Sequence, residues 1–251
     1  MKIYGTAKGG ALSKKDFGVA FGGGAAFSPE DISDLYAWYD MSEVATITKD
    51  SGTNRVSKVE NKEGTTARDL LQSTGDDQPL WVSADRNGLD VVDFDDDRWL
   101  QTASALTEID QPVTIFIVLE TPAGDASQKW WYNTHSDVSQ NFATYSNEGG
   151  ADVTAVIVDN QLTVSFAAGA GVWQYVTTQF NTTATKLRMN GVEKLSGDAG
   201  TDGMSGTILG AWKYNGNWLD TPVGEFIIYN KLVSGPELTS METYLKDKWG
   251  F

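Results

Sequence analysis

Apolar residues in this chain recur at every second position, in short runs separated by glycine, proline, asparagine and aspartate. That period belongs to half-buried β-strands. The clearest runs are Val113–Leu119, Val153–Val158, Leu162–Phe166, Trp173–Phe180, Thr185–Asn190 and Val223–Tyr229. Asn190-Gly191, between Leu187-Arg-Met189 and Val192-Glu-Lys194, predicts a tight hairpin, because both central residues accept positive φ. In the last run Val223, Glu225, Ile227 and Tyr229 alternate with Gly224, Phe226, Ile228 and Asn230, so both faces of that strand are occupied. The period then changes. Leu238, Met241 and Leu245 follow at helical spacing, with Ser234 placed as cap, Pro236 in the first turn and Glu237 near the positive helix end. Ser28-Pro-Glu-Asp31 predicts one further short helical turn. Strands with one C-terminal helix predict an all-β fold of two packed antiparallel sheets, and no internal repeat is visible.

Length and charge refine this picture. A chain of 251 residues suits one large all-β domain or two small ones. There is no cysteine, hence no disulfide framework and no thiolate metal site. No apolar run is long enough to span a membrane and the start lacks a signal-peptide core, so membrane insertion is not expected, and exposure outside a cell would follow lysis. The net charge of −15 is unevenly spread: residues 1–24 hold Lys2, Lys8, Lys14 and Lys15 against Asp16, a balance of +3 that leaves −18 on the rest. Such a body repels phosphate backbones, which argues against nucleic acid as partner. Residues 1–27 form a glycine-rich arm in which Asp16, Phe17, Val19 and Phe21 precede three glycines. Alone it buries too little apolar surface to order itself. It reads either as a flexible or self-packed leader, or as a docking peptide that adds a strand to a neighbouring subunit.

The C-terminal unit also carries a resemblance. Gly224-Glu225-Phe226, Tyr229-Asn-Lys-Leu-Val-Ser234 and Glu242-Thr-Tyr-Leu-Lys-Asp-Lys-Trp-Gly250 resemble the ending of phage and bacterial LamG-like domains of the concanavalin A-like lectin/glucanase superfamily. Leu35-Tyr-Ala-Trp-Tyr-Asp40, Asn87–Asp95, Trp173-Gln-Tyr-Val-Thr177 and Lys186-Leu-Arg-Met-Asn-Gly191 resemble its other ordered segments, over roughly residues 35–251. Val59-Glu-Asn-Lys-Glu-Gly64 departs from the pattern by lacking its aromatic residue. The resemblance implies a concanavalin A-like jelly-roll sandwich over residues 28–251. The arm resembles leaders of tailed-phage virion proteins, which implies a virion surface protein: a capsid decoration, head-fibre or tail-fibre subunit, docked through the arm to other virion subunits as a homo-oligomer.

Several residue groups are candidates for chemistry. Trp212, Tyr214, Asn215, Asn217, Trp218 and Asp220 interleave rings with amides and a carboxylate, the mixture that stacks on pyranose faces and bonds their hydroxyls. The competing reading puts Trp212 and Trp218 in the core between the sheets, and Trp38, Trp81, Trp173 and Trp249 are assigned to the core. Trp130, Trp131, Asn141, Tyr145 and Asn147 form a second, weaker aromatic–amide group. Asp93, Asp95, Asp96 and Asp97 are oxygen-rich enough for calcium, although Arg98 is placed to neutralise them and a solvated acidic turn explains them equally. The superfamily's glucanases need paired catalytic carboxylates, and the nearest look-alike, Glu108-Ile-Asp110, lacks a third carboxylate and runs into Pro112. The sole histidine, His135, is expected in a surface loop. The expectation is therefore a noncatalytic protein with no required cofactor that adsorbs to host glycans. The alternatives are a free-standing carbohydrate-binding protein or glycoside hydrolase, or a structural cement without sugar affinity.

Overall fold

The computed structural model describes residues 26–95, 97–122, 128–135, 141–146, 153–158, 161–165, 171–212 and 216–251. The arm residues Asp16, Phe17, Val19 and Phe21 lie outside them. In chain order the strands are β1 (Leu35–Asp40), β2 (Ile47–Lys49), β3 (Val56–Val59), β4 (Leu70–Leu71), β5 (Leu80–Arg86), β6 (Leu89–Asp93), β7 (Leu100–Gln101), β8 (Val113–Glu120) and β9 (Lys129–Asn133). They continue as β10 (Ala143–Ser146), β11 (Val153–Ile157), β12 (Gln161–Ser165), β13 (Trp173–Phe180), β14 (Thr185–Met189), β15 (Val192–Gly197), β16 (Ile208–Leu209) and β17 (Pro222–Tyr229), and helix α1 (Gly235–Trp249) closes the chain. A short 3-10 turn at Pro29–Asp31 stands where Ser28-Pro-Glu-Asp31 predicted one.

Two antiparallel sheets result. The first runs β15-β14-β13-β8-β17-β6-β5, with β1 paired to β17 beyond the two residues that β6 takes. The second runs β12-β11-β10-β9-β16-β7-β4-β3-β2. The all-β sandwich with one C-terminal helix is the architecture the alternation predicted.

The first sheet is buried on both sides, which explains why β8 reads as a continuous apolar run. Ile115, Ile117 and Leu119 face the inter-sheet core, while Phe116 and Val118 face the layer beneath α1. On β17, Phe226 and Ile228 point inward, and Ile227 and Tyr229 point to the helix. Met241, Leu245 and Trp249 of α1 complete that outer layer, together with Trp38 and the partly buried Trp173. Trp38 and Trp249 are thus core residues as expected, in the layer under the helix, and Trp173 is partly buried against that layer. Trp81 is only partly buried against the inter-sheet core.

The helix ends differ from expectation. Ser234 occupies the N-cap, yet its side chain makes no capping hydrogen bond. At the other end Gly250 takes the left-handed conformation with φ 72° and its N–H bonds the Lys246 carbonyl. The β5–β6 turn serves the remaining carbonyls. Asn87 Nδ2 donates to Lys248 O at 2.9 Å, and Arg86 donates to Trp249 O and Gly250 O, both at 2.9 Å. Among the described residues no helix is long and apolar enough to cross a membrane.

Candidate functional site

The face of the second sheet turned away from the core carries its own aromatic cluster. Trp130 of β9 and Tyr145 of β10 are cross-strand partners whose rings stack at 4.4 Å and 8°. Trp212 leans on Trp130 at 6.0 Å and 35°, and Ala143, Ala155 and Ile157 complete the group. The two tryptophan-bearing segments that the sequence offered as separate candidates therefore converge. Trp130 and Tyr145 are 4 % and 2 % exposed, whereas Trp212 is only partly buried, so of these three rings Trp212 is the one a ligand can reach. Trp131, also named in the second candidate, turns into the inter-sheet core.

The segment bearing Trp212 is sewn onto β9. Gly210 N–H donates to Trp131 O, Leu219 N–H to Gly210 O, and Trp130 N–H to Asn217 O. Gly210 has φ 89°, and a Cβ there would sit 2.2 Å from the Phe94 ring, so only glycine fits. Asn217, at φ 55°, donates from Nδ2 to Gln128 Oε1 at 3.1 Å, and the same oxygen accepts the Trp130 indole N–H at 3.3 Å. Lys129 Nζ lies 2.9 Å from Asp220 Oδ2, with side chains 7 % and 20 % exposed. Tyr214, Asn215 and Asn147 lie outside the described residues.

Unpaired polar atoms concentrate here. Of six buried side-chain nitrogens and oxygens without a hydrogen-bond partner among the described residues, four flank this strand: Asn133 Nδ2, Asn141 Oδ1, Trp218 Nε1 and Asp220 Oδ1. Such groups are costly to leave unmade and mark places where water or a ligand completes the bonding. Sequence reasoning missed Gln128, Lys129 and Asn133. None of the strand runs read from the sequence covers 129–133, and nothing in the sequence marks Lys129 and Asn133 as buried.

His135 overturns its expectation: it is 1 % exposed, with its Nε2 3.0 Å from the Thr102 carbonyl oxygen. The chain after β9 is held down by the His135 N–H to Ser205 O bond, and glycine at 206 lets that neighbour approach. The acidic run forms a turn. Asp95 N–H donates to Asp93 Oδ1, Asp95 pairs with Arg98 at 3.1 Å, and Asp97 takes φ 66°. Asp96 lies outside the described residues, among which no group of three or more acidic or histidine side chains is arranged to hold a metal. Burial pushes the Asp93 carboxyl above its ordinary value, and the charges of Asp95 and Asp85 add to the push. Glu108 and Asp110 are exposed in the loop before β8. A pocket of about 250 Å³ opens beside that loop, lined by Tyr36, Arg68, Leu106 and Glu108 among others, apart from the aromatic cluster.

Neither a protein-family model nor a curated protein sequence matches the chain. Solved structures do. Domain 4 of an extracellular arabinanase from Geobacillus stearothermophilus, in complex with arabinotriose, is 14 % identical with a TM-score of 0.59, over 83 % of this chain and 98 % of that one. An arabinofuranosidase complexed with arabinofuranosyl-α-1,2-xylobiose is 12 % identical with a TM-score of 0.58, over 78 % of this chain and 51 % of that one. The receptor-binding domain of botulinum neurotoxin type G is 8 % identical with a TM-score of 0.55, over 84 % and 51 %. The fold is a jelly-roll sandwich. This chain spans about half of the latter two neighbours, and at these identities the likeness concerns the jelly roll itself.

Proposed function

We propose that this jelly roll is a noncatalytic carbohydrate-binding protein, with its ligand site on the β9 face of the second sheet around Trp212, Asn217, Trp218 and Asp220. The observation that carries the reading is the joining of a partly exposed indole, Trp212, to buried but unpaired amide, indole and carboxylate atoms. A sugar needs both: an apolar face to stack on, and donors and acceptors for its hydroxyls. That one neighbouring structure is in complex with arabinotriose and another with an arabinofuranosyl xylobiose supports the choice of ligand class. The noncatalytic assignment is supported by the only carboxylate described in the site, Asp220, being engaged with Lys129. Calcium is not required in this reading.

The experiment is a glycan and host-polysaccharide panel on the purified chain, with calcium and with chelator, scoring binding and new reducing ends together. Saturable binding lost in Trp212→Ala, without new ends, is the expected result. New reducing ends would favour the glycoside-hydrolase alternative, and no binding by any glycan would leave a structural cement.

The finer reading places the protein on the surface of a phage particle, as a decoration or fibre subunit docked by residues 1–27 and self-associated. Its supports are the motif resemblance and the contrast between a basic glycine-rich arm and an acidic body. Deleting residues 1–24 is expected to abolish incorporation into particles while leaving sugar binding intact. Equal incorporation of the truncated chain would favour a free-standing binding protein.

A further inference from the structure

We infer that the β9 site selects uncharged, hydroxyl-rich glycans and rejects those carrying carboxylate or sulfate groups. This rests on the carbohydrate-binding reading above and narrows its ligand class.

The unpaired atoms include both donors and acceptors. Beyond the start of β9, Trp218 Nε1 can only donate a hydrogen bond and Asp220 Oδ1 can only accept one. Where β9 ends, Asn133 Nδ2 donates and Asn141 Oδ1 accepts. The orientation of the Asn133 amide is fixed, because its Oδ1 already accepts the N–H groups of Thr134 at 2.8 Å and Phe142 at 3.2 Å. That leaves Nδ2 as the unused end and holds the amide against the residue that follows Asn141. Asn133 is fully buried, so its free donor has no bulk water to turn to.

An alcohol carries one O–H donor and two lone pairs, so sugar hydroxyls can meet unpaired donors and unpaired acceptors alike. A carboxylate or sulfate offers acceptors alone. Against Asp220 Oδ1 or Asn141 Oδ1 it would set acceptor against acceptor, and beside Asp220 it would add like-charge repulsion. Water shares the mixed character of an alcohol, so a sugar hydroxyl can replace it one for one in such a place while an anion cannot.

Charge points the same way. The charged side chains described in this site are Lys129 and Asp220, and they neutralise each other at 2.9 Å. Among the described residues an anionic sugar therefore meets no uncommitted cation in the site, on a chain whose net charge is −15. The polar groups that remain, from Gln128 and Asn217, are neutral amides already bonded to each other.

The test is isothermal titration of the full chain with uncharged pentose and hexose oligosaccharides, and with uronate-, sialate- and sulfate-bearing oligosaccharides of matched length. Trp218→Phe, which keeps a ring and deletes the donor, and Asp220→Asn, which releases the Lys129 charge, are titrated alongside after a thermal melt confirms that they fold. Uncharged ligands are expected to bind at least about tenfold more tightly than acidic ones. Trp218→Phe should weaken them by roughly five- to tenfold, the loss of one hydrogen bond, and Asp220→Asn should narrow the gap. Acidic ligands binding as tightly as uncharged ones would overturn the selectivity and leave the carbohydrate reading standing. Binding of neither class would overturn that reading and this inference with it. Unchanged affinity in Trp218→Phe would remove the Trp218 donor from the site.

Discussion

Lys248, in the last turn of α1, places its ammonium 2.9 Å from the carboxylate of Glu225, a β17 residue with no solvent exposure at all. The same carboxylate accepts the indole N–H groups of Trp38 at 2.7 Å and Trp249 at 2.8 Å, and the Tyr244 hydroxyl at 2.8 Å. Asp40 shares Lys248 at 2.8 Å and also pairs with Lys62, whose ammonium lies 3.7 Å over the Trp38 ring. One buried ion thus ties β1, β17 and α1 together with every donor used, the condition under which a buried charge is tolerated.

Removing one partner from that network should be severe. Glu225→Gln or Lys248→Met is expected to lose about 3–5 kcal/mol of stability, because each leaves a buried charge under-compensated. The double variant should lose less than the sum of the two. Denaturant unfolding measures all three, and strict additivity would show that the two side chains do not act as a pair.

The network also sets a pH range. Burial opposes ionisation of Asp40, but Lys248, the Ser42 hydroxyl and Lys62 outweigh it and hold the carboxyl below its ordinary 3.8. Burial likewise opposes the charge of Lys248, and Glu225 and Asp40 outweigh it, raising its value above 10.5. A depressed acid stabilises above its unfolded value and loses that contribution as pH falls through the folded one; a raised base does so as pH rises through its folded one. Thermal melts should therefore show a plateau through neutrality, with these contributions lost in acid below about pH 4 and in alkali above about 10.5. In Asp40→Asn the acid limb should shallow.

Gly224 is expected to tolerate no side chain. A Cβ there would sit 2.5–2.9 Å from three carbons of the Trp249 indole, which is itself fully buried. Gly224→Ala should cost about 1–3 kcal/mol by forcing the helix end off the sheet. A melt unchanged from the parent chain would mean that the indole can shift freely.

At Asp93 the expected sign is opposite. Its carboxyl is raised, by burial first and then by Asp95 and Asp85, so ionisation at neutral pH works against folding. Asp93→Asn keeps an acceptor for the Asp95 N–H and should gain a few tenths of a kcal/mol at pH 7, solvent screening limiting the effect. The gain should vanish near pH 3, where the parent carboxyl is protonated too. Destabilisation at pH 7 would show that the charge is compensated by a bound cation.

The two stacked or tilted tryptophans of the site should separate in a melt. Trp130→Ala empties a nearly buried position and is expected to cost about 3–5 kcal/mol. Trp212→Ala, at the partly exposed edge, should cost less than half as much while abolishing sugar binding. Equal losses would make Trp212 a packing residue.

The six longer strand runs, the Asn190-Gly191 hairpin and the helix were legible because each has a local cause. Asn190-Gly191 takes φ 47° and 77° as the hairpin requires, and the 3.6-residue period after Tyr229 yields α1, whereas the opening strand Leu35–Asp40 was indicated by the resemblance. Local pattern also gathered the residues of the Trp212 segment as one candidate. It had no means of choosing which face of which sheet a tryptophan would meet, since an indole has the same sequence signature in a core, under a helix or in a site. That is why Trp38 and Trp249 could be assigned to the core but not to its layer under the helix, and why His135 read as a surface residue. The stack of Trp130 on Tyr145, the approach of Trp212, the Lys129–Asp220 pair and the immersion of Glu225 each join residues far apart in sequence or set by burial. Alternation, turn chemistry and charge are properties of neighbours along the chain, and these the sequence determined. Pairing register and the packing of one layer on another decided which polar groups lost their water, and that was settled only by tertiary structure.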